Sequence, residues 1–193
     1  GELTGENPPC FEVILSEHYN PVITRIRKIA KPVVCAVNGV AAGAGANIAL
    51  ACDIVIAAAS ASFIQAFSKI GLIPDSGGTY TLPRLIGFQK ASALMMLGEK
   101  VPATEAERIG MIYKVIADAD FEAESFTIAR TLSQMPTKGL AYTKAALNAS
   151  LNNSLAEQLH KEDELQFKAA HTSDYREGVN AFMEKRAPKF TGE

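Results

Sequence analysis

The chain has 193 residues, of which 48% are hydrophobic and 21% are charged, and its formal net charge is −2. This composition is ordinary for a globular protein, and the near-neutral charge disfavours a nucleic-acid or membrane-surface partner. A membrane-spanning helix needs about 18 apolar residues, and no apolar run in the sequence is that long.

The three cysteines are Cys10, Cys35 and Cys52, an odd number with no CxxC spacing. Cys35 and Cys52 lie in apolar runs, where buried free thiols are expected. Free thiols fit a reducing compartment, so we expect a cytoplasmic location. The opening residues 1–10, GELTGENPPC, are polar and rich in glycine and proline, and they predict an exposed loop.

The first predicted elements are a helix, a strand and a second helix. Residues 17–30 place apolar side chains at helical spacing, and Pro32 ends the helix because the residue before a proline avoids the helical region. Residues 33–37 form a short β-branched run, typical of a strand buried on both faces. Small residues at 43–51 then predict a helix that packs closely against a sheet or a ligand.

The next segments alternate between strand-like and helix-like patterns. Strands are predicted at 53–58, 62–65 and 112–116, and helices at 78–85 and 89–97. Thr104 and Glu107 have the spacing of a capping box for a further helix that ends at Gly110. The strand–helix–strand order indicates crossover units of a parallel sheet.

From Phe121 onward the predicted elements are all helical, with Ser173-Asp174 capping the last of them and a loosely ordered tail, RAPKFTGE, after it. These helices are predicted at 121–135, 137–151, 154–171 and 174–186. The chain is therefore predicted to be an α/β protein, with a layered core over 1–116 and a helical region over 117–193.

Two glycine-rich turns are the main candidates for chemistry: Gly43-Ala44-Gly45, and Asp75 to Gly78. Each leads into a predicted helix, whose first N–H groups lack intrahelical acceptors and can bind an oxygen. Asp75 is either a general base or simply a helix cap or turn acid. Asn47 and Gln65 are polar residues in apolar segments, and they are either hydrogen-bonded core residues or part of a pocket wall.

Several other kinds of site are disfavoured by the motifs that the sequence lacks. The three histidines do not lie near the glycine turns, and no cluster has metal-ligand spacing. The sequence has no nucleophile elbow, no P-loop and no dinucleotide fingerprint. We therefore expect neither a metal nor a redox cofactor.

Three segments stand out together: KPVVCAVNGVAAGAGANIALACDIVIAAASASF, GLIPDSGGTYTLPRLIG and DYREGVNAFMEKRAPKF. They closely resemble the crotonase superfamily, the enoyl-CoA hydratases and isomerases. The resemblance implies a crotonase-type spiral of repeated ββα turns, of which an N-terminal part is absent from this sequence. It also implies a C-terminal helical region that assembles a homotrimer or a hexamer.

The same resemblance assigns roles to residues of the glycine turns. It places one amide of an oxyanion hole on Ala44, while the other amide belongs to the absent N-terminal part. It aligns the two glutamates of the hydratases with Asn47 and Phe67, neither of which is a base, and the acid of the isomerases with Asp75. Phe182 and Lys185 match positions that meet coenzyme A, although Lys185 alone reads equally as a solvated surface lysine.

The resulting substrate-binding set combines these residues with an apolar wall that selects the acyl group. We also expect Phe63 in this wall. The set consists of Gly43, Gly45, Asn47, Phe67, Ile70, Leu72, Gly77, Gly78, Tyr80, Phe182 and Lys185.

The implied activity is that of an acyl-CoA isomerase, which shifts a double bond or opens a ring epoxide through a thioester enolate. Coenzyme A would enter only as part of the substrate. The alternative is an enoyl-CoA hydratase of fatty-acid oxidation. A non-catalytic or RNA-binding relative is a third alternative, disfavoured by the net charge of −2 and by the acid at Asp75.

Overall fold

The computed structural model describes residues 13–193, which form two compact units. The first unit comprises the described residues up to Arg27 together with Val34–Glu122, and the second comprises Lys28–Val33 and Ala123–Glu193. The predicted opening loop and Cys10 lie outside the described residues. Within residues 13–193, no helix combines the length and the apolar character needed to cross a membrane.

The strands belong to the first unit and are short. They are β1 (Val34–Val37), β2 (Val40–Ala42), β3 (Ile54–Ala58), β4 (Ser62–Ile64), β5 (Lys100–Pro102) and β6 (Lys114–Ile116).

The strands form two three-stranded sheets. One has the order β1-β3-β6 and is parallel throughout, and the other has the order β2-β4-β5, with β2 and β4 parallel and β4 and β5 antiparallel. The predicted α/β class is confirmed, and consecutive strands such as β1 and β2 belong to different sheets.

The prediction that the first strand is buried on both faces was wrong: Val37 is buried and Ala36 is exposed. In the described sheet β1 is an edge strand, whereas β3 has neighbours on both sides and is buried from Val55 onward.

The helices of the first unit follow the predicted positions. A π-helical segment, Ile14–Tyr19, leads into α1 (Asn20–Lys28), and α2 (Ala44–Leu50), α3 (Gly78–Ile86), α4 (Phe88–Leu97) and α5 (Ala103–Arg108) follow. The predicted capping box at Thr104 was wrong, because α5 begins one residue earlier, after Pro102. Glu107 instead accepts a hydrogen bond from the backbone N–H of Val115, at 3.1 Å.

The remaining helices match their predicted positions to within a few residues. They are α6 (Phe121–Ser133), α7 (Thr137–Ser150), α8 (Leu155–Ala170) and α9 (Ser173–Met183). The predicted cap of α9 was one residue out, since the Thr172 hydroxyl accepts the hydrogen bond from the N–H of Tyr175, at 3.1 Å.

The C-terminal tail is tied to α9, which corrects the expectation of loose order. The buried carboxylate of Asp174 accepts hydrogen bonds from the N–H groups of Thr191 and Gly192, at 2.7 and 2.9 Å. The Glu177 carboxylate pairs with the Arg186 guanidinium at 2.6 Å and accepts from the N–H of Lys189 at 2.8 Å. Two acids on α9 therefore anchor the chain beyond it.

Candidate functional site

The first glycine turn lies between β2 and α2. Gly43 has φ +53°, in the region that favours glycine, and its N–H donates to the carbonyl of Ile64 in β4 at 2.8 Å. Ala44 is the first residue of α2 and is half-buried. Because the first N–H groups of a helix have no intrahelical acceptor, this turn presents backbone donors at the start of α2.

The second glycine turn precedes α3 and carries the acid. Ser76 has φ +51° and Gly77 has φ +75°, so two consecutive residues adopt the left-handed conformation before α3 begins at Gly78. Asp75 is half-buried, and its Oδ1 accepts a hydrogen bond from the buried Ser76 hydroxyl at 2.9 Å. The carboxylate forms no ion pair with any residue in the described part of the chain.

A buried amide connects the two turns. The Asn47 side chain in α2 donates from Nδ2 to the backbone carbonyl of Asp75 at 2.8 Å, and its Oδ1 accepts from Nε2 of Gln65, also at 2.8 Å. Asn47 is 1% exposed and Gln65 is 2% exposed. The Asp75 carbonyl also accepts from the N–H of Gly78 at 2.8 Å. The acid-bearing turn is thus fixed to the helix that begins at Ala44.

The glycine at position 78 is required by this contact. A Cβ on Gly78 would lie 2.3 Å from Nδ2 of Asn47, which is closer than side-chain atoms approach one another. Gly45, by contrast, is exposed and has open space where a Cβ would be. The first residue of α3 therefore packs directly on the amide that holds Asp75.

The expected apolar wall is divided between the interior and the surface. Phe63 is fully buried in the hydrophobic core, so its expected place in the wall was wrong. Phe67 is also buried, and its ring faces Gly43, where an added Cβ would lie 3.6 Å from Cζ. Ile70 and Leu72, on the segment before Asp75, are exposed. Phe67 is thus held against the first glycine turn.

Three other predicted positions lie on the surface of their own unit. Tyr80 on α3 is exposed, and the Arg84 guanidinium carbon lies 3.7 Å from the centre of its ring. In the second unit, Phe182 is 82% exposed, and Lys185 follows α9 with φ +54°. Lys185 is also exposed, so both side chains are available to a ligand.

The metal-ligating residue types do not gather anywhere in residues 13–193. No group of three or more histidine, cysteine, aspartate or glutamate side chains there is arranged to hold a metal ion. The glycine turns themselves offer backbone donors and the carboxylate of Asp75.

A family model described as enoyl-CoA hydratase/isomerase matches residues 1–193. The chain belongs to the enoyl-CoA hydratase/isomerase family. The fold class and the enzyme family expected from the sequence are thereby confirmed.

Some relatives in the family are named as isomerases and others as hydratases. The chain is 49% identical over 184 residues to a 1,2-epoxyphenylacetyl-CoA isomerase of Escherichia coli, covering 95% of this chain and 70% of the relative. It is 48% identical over 182 residues to a probable enoyl-CoA hydratase of Rhodobacter capsulatus, covering 94% and 71%. A solved enoyl-CoA hydratase from Bacillus anthracis is 32% identical and superposes with a TM-score of 0.94, covering 100% of this chain and 74% of that one.

The sequence reasoning missed the bond between Asn47 and Asp75. Both Asn47 and Gln65 stood out as polar residues in apolar segments, but the sequence left their partners open. The Ser76 hydroxyl was not predicted to contact the acid. Its neighbours Asp75 and Gly77 were the available signal, because a small polar residue in such a turn often bonds to its neighbours.

Proposed function

We propose that this enoyl-CoA hydratase/isomerase family member is an acyl-CoA isomerase in which Asp75 moves a proton. The observation that carries the proposal is the state of the Asp75 carboxylate. It is half-buried, its only hydrogen bond within the described residues is the one from the Ser76 hydroxyl, and its backbone is fixed by Asn47. A carboxylate held in place but not neutralised by a cation is suited to general-base catalysis.

The proposed reaction begins with the thioester carbonyl of the substrate near the N–H of Ala44. Asp75 removes a proton from the carbon next to that carbonyl, and the electron pair of the C–H bond moves into an enolate. The N–H of Ala44 stabilises the negative charge on the enolate oxygen. Loss of such a contact raises the activation free energy by about 3 kcal/mol. Asp75 then returns the proton to a more distant carbon, and the double bond has moved.

One carboxylate is sufficient for this transfer, because the proton that leaves one carbon returns to another. Hydration in this family is expected to use two acids, aligned with Asn47 and Phe67, and neither an amide nor a phenyl ring accepts a proton. The structure has Asn47 engaged with Asp75 and Gln65, and Phe67 buried against Gly43. These contacts support isomerisation over hydration.

The substrate we propose is an aromatic-derived acyl-CoA, whose ring epoxide or double bond is rearranged. The identity of 49% to the Escherichia coli 1,2-epoxyphenylacetyl-CoA isomerase supports this choice. The exposed Phe182 and Lys185 are proposed to contact the coenzyme A moiety, and Ile70, Leu72 and Tyr80 to contact the acyl group. We propose that the reaction uses no metal and no redox cofactor.

The test is the Asp75→Asn variant of the full-length protein, assayed with 1,2-epoxyphenylacetyl-CoA and with a 3-enoyl-CoA. Loss of a general base lowers turnover by about 100-fold or more. Binding of a saturated acyl-CoA should be retained, because the substitution preserves shape. Turnover within about tenfold of the wild type would remove Asp75 from the reaction.

An enoyl-CoA hydratase is the second candidate, because the Rhodobacter capsulatus relative that bears that name is 48% identical. It predicts that crotonyl-CoA is hydrated faster than any acyl-CoA is isomerised. Comparison of the two rates on one preparation separates the candidates.

We also propose a homotrimer or a hexamer. Large apolar side chains are exposed on the second unit, including Leu147, Phe167 and Met183. Exposed apolar surface of this kind is typical of protein–protein contacts. Light scattering coupled to size-exclusion chromatography gives the assembly mass directly, and a monomer at micromolar concentration would contradict the proposal.

A further inference from the structure

The hydrogen bonds of Asn47 and Gln65 have a fixed direction. The backbone carbonyl of Asp75 is only an acceptor, so the group of Asn47 that faces it at 2.8 Å must be the Nδ2 donor. Oδ1 of Asn47 then faces Gln65, whose Nε2 must donate to it, again at 2.8 Å. The chemistry of the Asp75 carbonyl thus sets the orientation of both amides.

Packing alone does not favour a glutamine at position 65. Gln65 is 2% exposed, and its Oε1 has no hydrogen-bond partner in the described part of the chain. A buried polar atom without a hydrogen-bond partner lowers the free energy of unfolding, and an apolar side chain of similar length would avoid that loss. What Gln65 provides within the described residues is its hydrogen bond to Asn47.

This pair fixes the acid relative to the first glycine turn. Asn47 lies one turn into α2, and its backbone N–H donates to the carbonyl of Gly43 at 3.2 Å. Its side chain holds the carbonyl of Asp75, whose carboxylate is in turn oriented by the Ser76 hydroxyl. A rotation of the Asn47 amide would therefore move the acid relative to Ala44.

We propose that Asn47 and Gln65 are positioning residues that set the distance between the Asp75 carboxylate and the N–H of Ala44. Asn47 acts through the backbone of Asp75, and Gln65 acts through Asn47. Neither amide needs to touch the substrate, in contrast to the substrate contact expected of Asn47 from the sequence. The inference rests on the proposed function, in which Asp75 carries the proton.

The first test is the Gln65→Met variant of the full-length protein. Methionine has a similar length, removes the donor to Asn47 and removes the unpartnered Oε1, so the unfolding temperature should change little. We expect kcat to fall about tenfold to 100-fold, because a small displacement of a catalytic group is costly. KM and the binding of a saturated acyl-CoA should stay the same. The matched control is Gln89→Met, at an exposed position.

The second test is Asn47→Asp, with Asn152→Asp at an exposed turn as its control. The ionised carboxylate has no hydrogen to donate to the Asp75 carbonyl, so kcat should fall at neutral pH. When the pH is lowered, the protonated carboxyl regains a donor, and the ratio of variant to wild-type kcat should rise. A role in packing alone predicts a ratio that follows only the folded fraction of the variant, which circular dichroism measures at each pH.

Asp75→Asn, assayed in parallel, separates the two proposals. Lost turnover in Asp75→Asn with unchanged kcat in folded Gln65→Met overturns the positioning role and leaves the proposed function standing. Retained turnover in Asp75→Asn overturns both. If Asn47→Asp does not fold, Gln65→Met alone decides, and a kcat within about twofold of the wild type contradicts the positioning role.

Discussion

Nδ2 of Asn47 lies 2.8 Å from the backbone carbonyl oxygen of Asp75, and this contact joins the helix of one glycine turn to the acid of the next. The two residues are separated by 28 positions in the chain. The contact explains why a polar side chain that is 1% exposed is found in a helix of small apolar residues. It also gives the site a rigid frame, because both atoms belong to elements packed in the same unit.

The close approach of α3 to Asn47 predicts that Gly78→Ala destabilises the protein. The new methyl group would lie 2.3 Å from Nδ2 of Asn47, so either the amide or the helix must move. Overpacking of this kind costs about 1–3 kcal/mol of the free energy of unfolding. Chemical denaturation measures the change.

Gly139→Ala is the control for this prediction. Gly139 is also a helical glycine, but its added Cβ would lie 3.7 Å from Pro136, an ordinary contact. Alanine is the better helix former, so this variant should be more stable by about 0.5–1 kcal/mol. Equal changes in the free energy of unfolding at the two positions would show that the contact with Asn47 does not destabilise Gly78→Ala.

The two described cysteines predict a pH effect on thiol chemistry. The neighbouring Cys52 thiol, whose Sγ also lies 3.5 Å from the Ile48 carbonyl oxygen, lowers the pKa of Cys35 by hydrogen bonding, against the smaller opposing effect of burial. Replacement of Cys52 by alanine should therefore raise the pKa of Cys35. The pH–rate profile for alkylation of Cys35 by iodoacetamide, followed by peptide mass spectrometry, should shift to higher pH.

Cys52→Ser is the matched variant, because a serine hydroxyl also donates a hydrogen bond. Its profile should lie between those of the wild type and Cys52→Ala. Identical profiles for all three proteins would contradict the thiol–thiol hydrogen bond.

The tail anchored on α9 predicts a dependence on acid pH. The hydrogen bond and ion pair with Arg186 lower the pKa of Glu177 from 4.5 to about 2 in the folded protein. A lowered pKa means that the stabilisation is fully present above about pH 4.5 and is lost as the pH falls towards 2. Carboxypeptidase release of the last residues, measured after brief incubation across this range, should increase as the pH falls.

Glu177→Gln should remove the part of that dependence that Glu177 carries, because glutamine does not titrate, while Asp174 still holds Thr191 and Gly192. Release from this variant should already be faster than from the wild type at pH 5. A wild-type tail that is equally protected at pH 5 and at the acid end of the range would contradict the role of Glu177.

The sequence allowed much of the secondary structure to be predicted, because helices such as α4 and α8 are long enough to show a period. It did not reveal β2 and β5, since strands of three residues contain too few positions for an alternation. Nor did it reveal the order of the tail. That order depends on Asp174 and Glu177 accepting backbone hydrogen bonds from residues that follow α9.

The site was predictable in its residues and less so in its contacts. The two glycine turns and Asp75 stand out from the sequence because glycine and acid occur where helices begin. The bond from Asn47 to Asp75 depends on how α2 packs against the turn before α3, which is tertiary information. The same is true of Phe63 and Phe67, two nearby aromatic residues that fall respectively in the core and against Gly43.

The most direct test of the central claim is hydrogen exchange beside the thioester. A saturated acyl-CoA is incubated in D₂O with the full-length protein, and NMR follows deuterium entry at the carbon next to the carbonyl. We predict exchange with the wild type and with Asp163→Asn, an exposed control, and none above background with Asp75→Asn. Exchange by Asp75→Asn at the wild-type rate would contradict the claim that Asp75 carries the proton.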